Sequence, residues 1–141
     1  MLGCNGAVAF LIGTIAAIAV GFFARIVGLD RDRAFYPTVM IVIALLYVLF
    51  SAIGGSVQAL TLELPSVLGF IVAAVVGFKG SLWVVAAALA AHGIYDFGHA
   101  FLFENPGVPS FWPAFCSAYD IVAAVFLGWL LWSEKIPARA A

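Results

Sequence analysis

The chain has 141 residues, of which 66% are hydrophobic and 9% charged, and its mean hydropathy is +1.20. This composition leaves too few polar side chains to cover a water-soluble domain, so the sequence predicts an integral membrane protein. The net charge of −1 and the scattered basic residues argue against nucleic acid as a partner, and Cys4 and Cys116, lacking CxxC spacing, predict neither a disulfide nor a thiolate metal site.

Charges, glycine pairs and prolines divide the chain into five predicted transmembrane helices, because a span needs about 20 apolar residues. The first two cover about residues 7–27 and 37–53 and are separated by the charged turn GLDRDR. The third covers about 58–78, a length that draws Glu63 into the membrane just before Pro65. The fourth and fifth cover about 81–103 and 112–132, joined by the turn NPGVP.

The basic residues indicate how these helices are oriented. All of them fall at or after the ends of the first, third and fifth spans: Arg25, Arg31, Arg33, Lys79, Lys135 and Arg139. Since positive side chains collect on the cytoplasmic side of a membrane, the N-terminus is predicted outside and the C-terminus in the cytoplasm. The expected fold is therefore all-α and polytopic, with a single domain formed by a bundle of five transmembrane helices.

Small residues recur every four positions on two of the predicted spans. They are Gly13, Ala17 and Gly21 on the first span and Gly69, Ala73 and Gly77 on the third. This spacing lets helix backbones approach closely in a membrane. It predicts packing ridges, either between helices of one chain or at the seam of a homodimer.

The fourth span carries the motif HGIYDFGH at residues 92–99. At about 100° per residue, His92, Asp96 and His99 lie on one stripe of a helix. Asp120 lies about 12 Å inside the fifth span, which is the depth of Asp96 when both are counted from the outer ends. Cys116 precedes Asp120 by one helical turn on the same face. A polar layer shared by two neighbouring helices is therefore predicted in the outer half of the membrane.

The predicted layer must be electrically compensated, because a charged side chain at the bilayer centre costs about 2.5 to 3.5 kcal/mol. Protonation, histidinium partners or a bound cation would each compensate the aspartates. Carboxylate and imidazole ligands suit a divalent metal ion such as zinc, iron or manganese.

Side-chain direction narrows the choice of ligands. Helical side chains lean toward the N-terminus of their helix, which points His99 at Asp96 and points His92 away from it. The predicted metal ligands are Asp96, His99, Asp120 and Glu63. His92 either completes this set or acts beside it as the predicted catalytic proton acceptor.

Three functions are compatible with this layer. The first is a metal-dependent hydrolase or oxidoreductase that acts on a lipid or another apolar substrate. The second is a proton-coupled transporter subunit, in which the carboxylates and imidazoles pass protons without a metal. The third is a non-catalytic accessory or assembly protein of a larger membrane complex, in which His–Asp pairs only join two helices.

The run AHGIYDFGH, followed by ENPGVPSFWPAFCSAYD, resembles an uncharacterised family of small bacterial integral-membrane proteins. That family has an HGxxDFxH span, an NPGVPxWWP-type turn and an FCxAYD span, and the likeness covers roughly residues 90–121. Phe111 stands where the pattern has tryptophan. The resemblance implies a multi-pass protein of the bacterial inner (plasma) membrane, and it assigns no reaction.

Overall fold

A computed structural model of the chain describes residues 4–140. These residues form five α-helices: α1 (Cys4–Val27), α2 (Phe35–Ile53), α3 (Val57–Lys79), α4 (Leu82–Gly98) and α5 (Trp112–Trp132). A 3₁₀ turn, His99–Phe101, follows α4. Within the described residues no strand is formed, and the all-α class predicted from the sequence is confirmed.

Four of the helices, α1, α2, α3 and α5, are long and apolar enough to cross a membrane. Their large apolar side chains are widely exposed on the outside of the bundle, which is the surface that lipid would cover; Ile26 and Phe23, for example, are 81% and 60% exposed. The helices that pack together therefore present an apolar exterior around a core that contains the polar residues.

The fourth helix differs from the predicted span of residues 81–103. It is α-helical for 17 residues and then tightens into the 3₁₀ turn, where the Leu102 N–H donates to His99 O at 3.0 Å. Gly98, at the point of change, has a low helix propensity, and 3₁₀ geometry is common at helix ends. Because a 3₁₀ turn rises about 2.0 Å per residue, the two pieces together still extend about 31 Å.

Helix α4 occupies the middle of the bundle, where it packs against α2, α3 and α5. Helix α1 packs along α5, and a Cβ atom placed on Gly13 would overlap the Phe115 carbonyl oxygen. Gly21 similarly contacts the ring of Phe126. The small residues of α1 thus provide close contact between two helices of the same chain.

The loop between α1 and α2, the two-residue connection between α3 and α4, and the C-terminal tail meet at one end of the bundle, here called the basic end. Arg33 lies among them with a left-handed backbone (φ 71°). Its guanidinium donates to Pro137 O at 2.8 Å and to Phe78 O and Gly80 O at 3.0 and 3.2 Å. All six basic residues belong to these segments or to the adjoining helix turns.

At the opposite end, here called the loop end, residues 102–111 fold over the last turn of α2. Asn105 is buried and donates its side-chain amide to Ser51 Oγ at 3.0 Å. Gly107 approaches Phe50 so closely that a Cβ atom would overlap the Phe50 carbonyl oxygen. The turn is therefore fixed to α2 both by a buried polar side chain and by a contact that only glycine permits.

Candidate metal centre

Four side chains from α4 and α5 converge in the interior of the bundle. They are His92, Asp96, Cys116 and Asp120, here called the His92 group, and one ligand atom of each lies within 4.8 Å of the others. All four residues are buried. His92 Nδ1 lies 2.7 Å from Asp120 Oδ2 and 3.4 Å from Asp96 Oδ2, and Cys116 Sγ lies 3.9 Å from Asp120 Oδ2. Imidazole, carboxylate and thiol are all metal-ligating groups, so this group could hold a metal ion.

Two carboxylate oxygens of the His92 group have no hydrogen-bond partner. Asp96 Oδ2 and Asp120 Oδ1 are both buried, although the other oxygen of each carboxylate is hydrogen-bonded. A buried acceptor without a partner loses the hydration it has in water and gains nothing in return, which costs about 1 to 3 kcal/mol or more when charged. Unpaired oxygens of this kind require a further partner, such as a proton, a water or a cation.

The close approach of α4 to α5 explains why these residues meet. Gly93 follows His92 in α4, and a Cβ atom there would lie 3.0 Å from Ser117 O and 2.9 Å from the Ile121 side chain. Only the absence of a side chain allows the two backbones to come this close. The crossing at Gly93 places His92 directly opposite the turn of α5 that carries Asp120 and Cys116.

A second polar group lies toward the loop end and is here called the Glu63 group: Glu63, Tyr95, His99 and Asn105. Both oxygens of the buried Glu63 carboxylate have partners. Oε1 lies 2.7 Å from His99 Nε2 and 3.0 Å from Asn105 Nδ2, and Oε2 accepts from the Tyr95 hydroxyl at 3.0 Å. The group therefore joins α3, α4 and the turn after α4 by satisfied hydrogen bonds.

Tyr47, on α2, connects the two groups. Its hydroxyl donates to Asp96 Oδ1 at 2.7 Å, and its ring stacks on His99 with centroids 4.5 Å apart. The residue is only 1% exposed. Tyr47 thus holds the Asp96 carboxylate in one orientation through its hydroxyl, and its ring separates that carboxylate from the Glu63 group.

The structure divides the residues that the sequence singled out. Asp96 and Asp120 come together as expected, but the histidine between them is His92, which the sequence left either as a further ligand or as the catalytic proton acceptor. His99 and Glu63, two of the four predicted ligands, pair with each other in the Glu63 group. The ligand set of Asp96, His99, Asp120 and Glu63 is therefore distributed over two groups, and within residues 4–140 the His92 group is the cluster that could hold a metal ion.

The crossing of α4 and α5 accounts for this division. Gly93 lies against Ser117, and at this register Asp120 Oδ2 is 2.7 Å from His92 Nδ1, one helical turn before Asp96. His99 lies beyond Asp96 in the 3₁₀ turn, where it meets Glu63 of α3.

Three contributors were not assigned a role from the sequence: Cys116, Tyr47 and Asn105. Cys116 had a detectable signal, because it precedes Asp120 by four residues and so lies on the same helix face. Tyr47 and Asn105 had none, since their partners are 49 and 42 residues away in the chain.

Comparison of the chain with protein-family models, with curated proteins and with solved structures finds no match. The resemblance of residues 90–121 to a family of bacterial membrane proteins stays a prediction. Arguments about function therefore depend on the geometry of the bundle and its two polar groups.

Proposed function

We propose that this chain is an integral-membrane metalloprotein whose His92 group binds a divalent metal ion. One observation carries the proposal: Asp96 Oδ2 and Asp120 Oδ1 are buried without a hydrogen-bond partner beside an imidazole and a thiol, with His92 Nδ1 3.4 Å from Asp96 Oδ2. Two carboxylates and one imidazole leave uncompensated negative charge in a low-dielectric interior unless protons neutralise it. A divalent cation supplies both the missing charge and the missing ligand contacts in one step.

The donor set fits a small transition-metal ion better than calcium or magnesium, because it includes a nitrogen and a sulfur. Ligand atoms around a tetrahedral zinc ion lie about 3.3 to 3.8 Å apart. The ligand atoms of the His92 group lie within 4.8 Å of one another. Metal binding therefore requires side-chain rotations that move these atoms by about an ångström, and the metal replaces the hydrogen bond between His92 and Asp120. Zinc, iron and manganese remain the three candidate ions.

The proposed position of the bundle in the membrane follows from its charges. The basic end carries every Lys and Arg, so we place it on the cytoplasmic side of a bacterial inner membrane, with the loop end outside. Each of the five helices then crosses the membrane once, with α4 crossing through its α-helix and 3₁₀ turn together. The His92 group lies in the outer half of the membrane in this arrangement.

An enzymatic role depends on how many of the four residues bind the metal. Four protein ligands close a tetrahedral shell, as in structural zinc sites, whereas catalytic sites keep one position for water or substrate. Cys116 Sγ lies 3.9 Å from Asp120 Oδ2, which is longer than the 2.7 and 3.4 Å contacts of His92 Nδ1 with the two aspartates. We propose that Cys116 stays off the metal, leaving a position at which a bound water would be activated for attack on a lipid.

A purely structural metal site is the second candidate, and the thiol favours it. If Cys116 binds the ion, the shell is closed and the protein acts as an accessory or assembly component. A proton pathway has less support, because Met40, Val85, Leu89 and Leu127 fill the interior on the side of the basic end and are each fully buried. Protons would need a polar route through this apolar layer.

Element analysis of protein purified without chelator tests the metal centre. The wild type should contain a stoichiometric amount of zinc, iron or manganese. The Asp120→Asn variant should contain none, although the new side chain has the same shape as the original. Glu63→Gln is the matched control, because it changes a buried carboxylate of the other group. Wild-type protein that remains metal-free after exposure to all three ions would refute the proposal.

A further inference from the structure

A cavity of about 480 Å³ opens at the loop end of the bundle, between the 3₁₀ turn after α4 and the turn that leads into α5. Four polar residues line it: His99, Glu104, Asn105 and Ser110. A cavity of this size accommodates an organic group or a small molecule, whereas a single metal ion would leave most of it empty.

The backbone around the cavity offers few hydrogen-bond donors. Three of the residues that line it are proline, which has no N–H: Pro106, Pro109 and Pro113. The N–H of Gly107 donates to Asn105 Oδ1 at 3.3 Å, and that of Val108 donates to Asn105 O at 3.1 Å. An anion such as phosphate needs several N–H or cationic donors, so this turn is poorly suited to bind one.

The side-chain donors beside the cavity are also committed. Asn105 Nδ2 donates to Ser51 Oγ and to Glu63 Oε1, both at 3.0 Å. His99 Nε2 lies 2.7 Å from Glu63 Oε1, and because an ionised carboxylate only accepts, Nε2 carries the proton. Within residues 4–140, His99 Nδ1 has no hydrogen-bond partner. In the neutral ring this nitrogen is an acceptor, so the cavity lacks a donor for it.

The charges at the loop end favour a cation. Glu104 is exposed at the cavity, and its carboxylate forms no ion pair within the part of the chain that the structure describes. The buried Glu63 carboxylate adds a second negative charge directly behind His99 and Asn105. Every Lys and Arg lies at the basic end, so none of these side chains offsets the two carboxylates.

We propose that this cavity binds the primary ammonium group of an organic amine. The ammonium donates to the Glu104 carboxylate, with His99 Nδ1 and Ser110 Oγ as further acceptors, and its carbon atoms lie against Phe103 and the prolines. A quaternary ammonium has no N–H and is recognised by several aromatic faces. Among the described residues that line the cavity, Phe103 supplies the only benzene ring.

The amine can come from a phospholipid head or from the water, because the loop end meets the membrane surface in the proposed position of the bundle. Nanodiscs with equal amounts of phosphatidylethanolamine and phosphatidylcholine test the first source. The two lipids differ at the nitrogen, where choline has methyl groups in place of the N–H groups. Native mass spectrometry of the released protein should show about three- to tenfold more phosphatidylethanolamine retained.

Glu104→Gln should remove this preference, because the amide keeps the shape of the side chain without its charge. Glu134→Gln is the matched control, since it removes an exposed carboxylate beyond α5, at the basic end, and should retain the lipids as the wild type does. The second source is tested in nanodiscs of phosphatidylcholine alone, with ethanolamine in the water. Saturation-transfer NMR should then detect ethanolamine on the wild type and on Glu134→Gln, and far less of it on Glu104→Gln.

A preference for phosphatidylethanolamine that depends on Glu104 identifies a lipid head, and a Glu104-dependent signal from ethanolamine alone identifies a soluble amine. The proposal is overturned if neither measurement depends on Glu104. None of the four residues of the His92 group lines the cavity. The metal content of Glu104→Gln should therefore equal that of the wild type, so failure of the amine site and failure of the metal centre give different results.

Discussion

Each of the two polar groups in the bundle places a histidine against a carboxylate, and the groups differ in how completely they are hydrogen-bonded. In the Glu63 group, both carboxylate oxygens have hydrogen-bond partners, which come from three residues. In the His92 group, one oxygen of each aspartate is buried without a hydrogen-bond partner. The first arrangement stabilises the fold as it stands, whereas the second is complete only with a cation or an added proton. The two groups are therefore distinguished by whether every carboxylate oxygen has a hydrogen-bond partner, and not by the presence of histidine and carboxylate side chains.

Removing Glu63 should have the largest effect on stability. Glu63→Ala leaves His99, Tyr95 and Asn105 without their common acceptor, and loss of one partner of a buried pair costs about 3 to 5 kcal/mol. Unfolding in mixed micelles with increasing denaturing detergent would measure this loss. Glu104→Ala, at an exposed position, serves as the control and should change the unfolding free energy little. Comparable losses in the two variants would contradict a structural role for the Glu63 group.

Metal addition should stabilise the protein only through the His92 group. At an ion concentration about 100 times the dissociation constant, the free energy of unfolding should rise by about 2.7 kcal/mol. Asp120→Asn should abolish this rise, and without metal the variant should be about as stable as the wild type, because the amide oxygen can still accept from His92 Nδ1 while the amide nitrogen takes the place of the unpartnered Asp120 Oδ1. An equal rise in the wild type and in Asp120→Asn would place the ion elsewhere.

Tyr47 links the groups, and its hydroxyl should matter to both stability and metal affinity. Tyr47→Phe keeps the ring stacked on His99 but removes the 2.7 Å hydrogen bond to Asp96, a loss of about 1.5 to 3 kcal/mol for a charged acceptor. A ligand that loses its orienting partner also binds metal about 10- to 100-fold more weakly. Titration with zinc would measure this change, with Tyr119→Phe as the control. Unchanged affinity in Tyr47→Phe would show that Asp96 does not bind the ion.

A small loss of stability is expected on changing Cys116, and the informative measurement there is the preference for one metal ion over another. Cys116→Ala should cost about 1 kcal/mol, since it removes one small buried side chain with a weak contact at 3.9 Å. If the thiol stays off the metal, the relative affinity for zinc and manganese should be unchanged. A clear loss of zinc preference would identify Cys116 as a ligand and support the closed, structural site.

The helices could be predicted well because they depend on local features of the sequence, namely long runs of apolar residues that end at charged residues or prolines. The charged turn after α1, Pro37 near the start of α2 and the Pro-rich turn before α5 each mark a boundary. The end of α4 is not predictable in this way, because no charge or proline marks it. Only Gly98 indicates the change to a 3₁₀ turn, and a glycine is weak evidence in a membrane helix.

The site could be predicted only in part, for a related reason. Helical periodicity predicts that His92, Asp96 and His99 share one face, and the number of residues from the end of the fifth span predicts the depth of Asp120 in the membrane. Which histidine meets the aspartates depends on the relative height of α4 and α5, and the crossing at Gly93 fixes that height. Pairing between Glu63 and His99, 36 residues apart, likewise depends on how α3 is placed against α4.

The two-residue connection Gly80–Ser81 has a consequence for biogenesis. Helix α4 and the 3₁₀ turn after it together carry two imidazoles and a carboxylate, which makes this segment the least able to partition into lipid alone. Tethered so tightly to α3, it can enter the bilayer as half of a helical hairpin in which Glu63 already shields His99. We expect α5, which supplies Asp120, to join this hairpin only after leaving the translocon, so that the His92 group is assembled last.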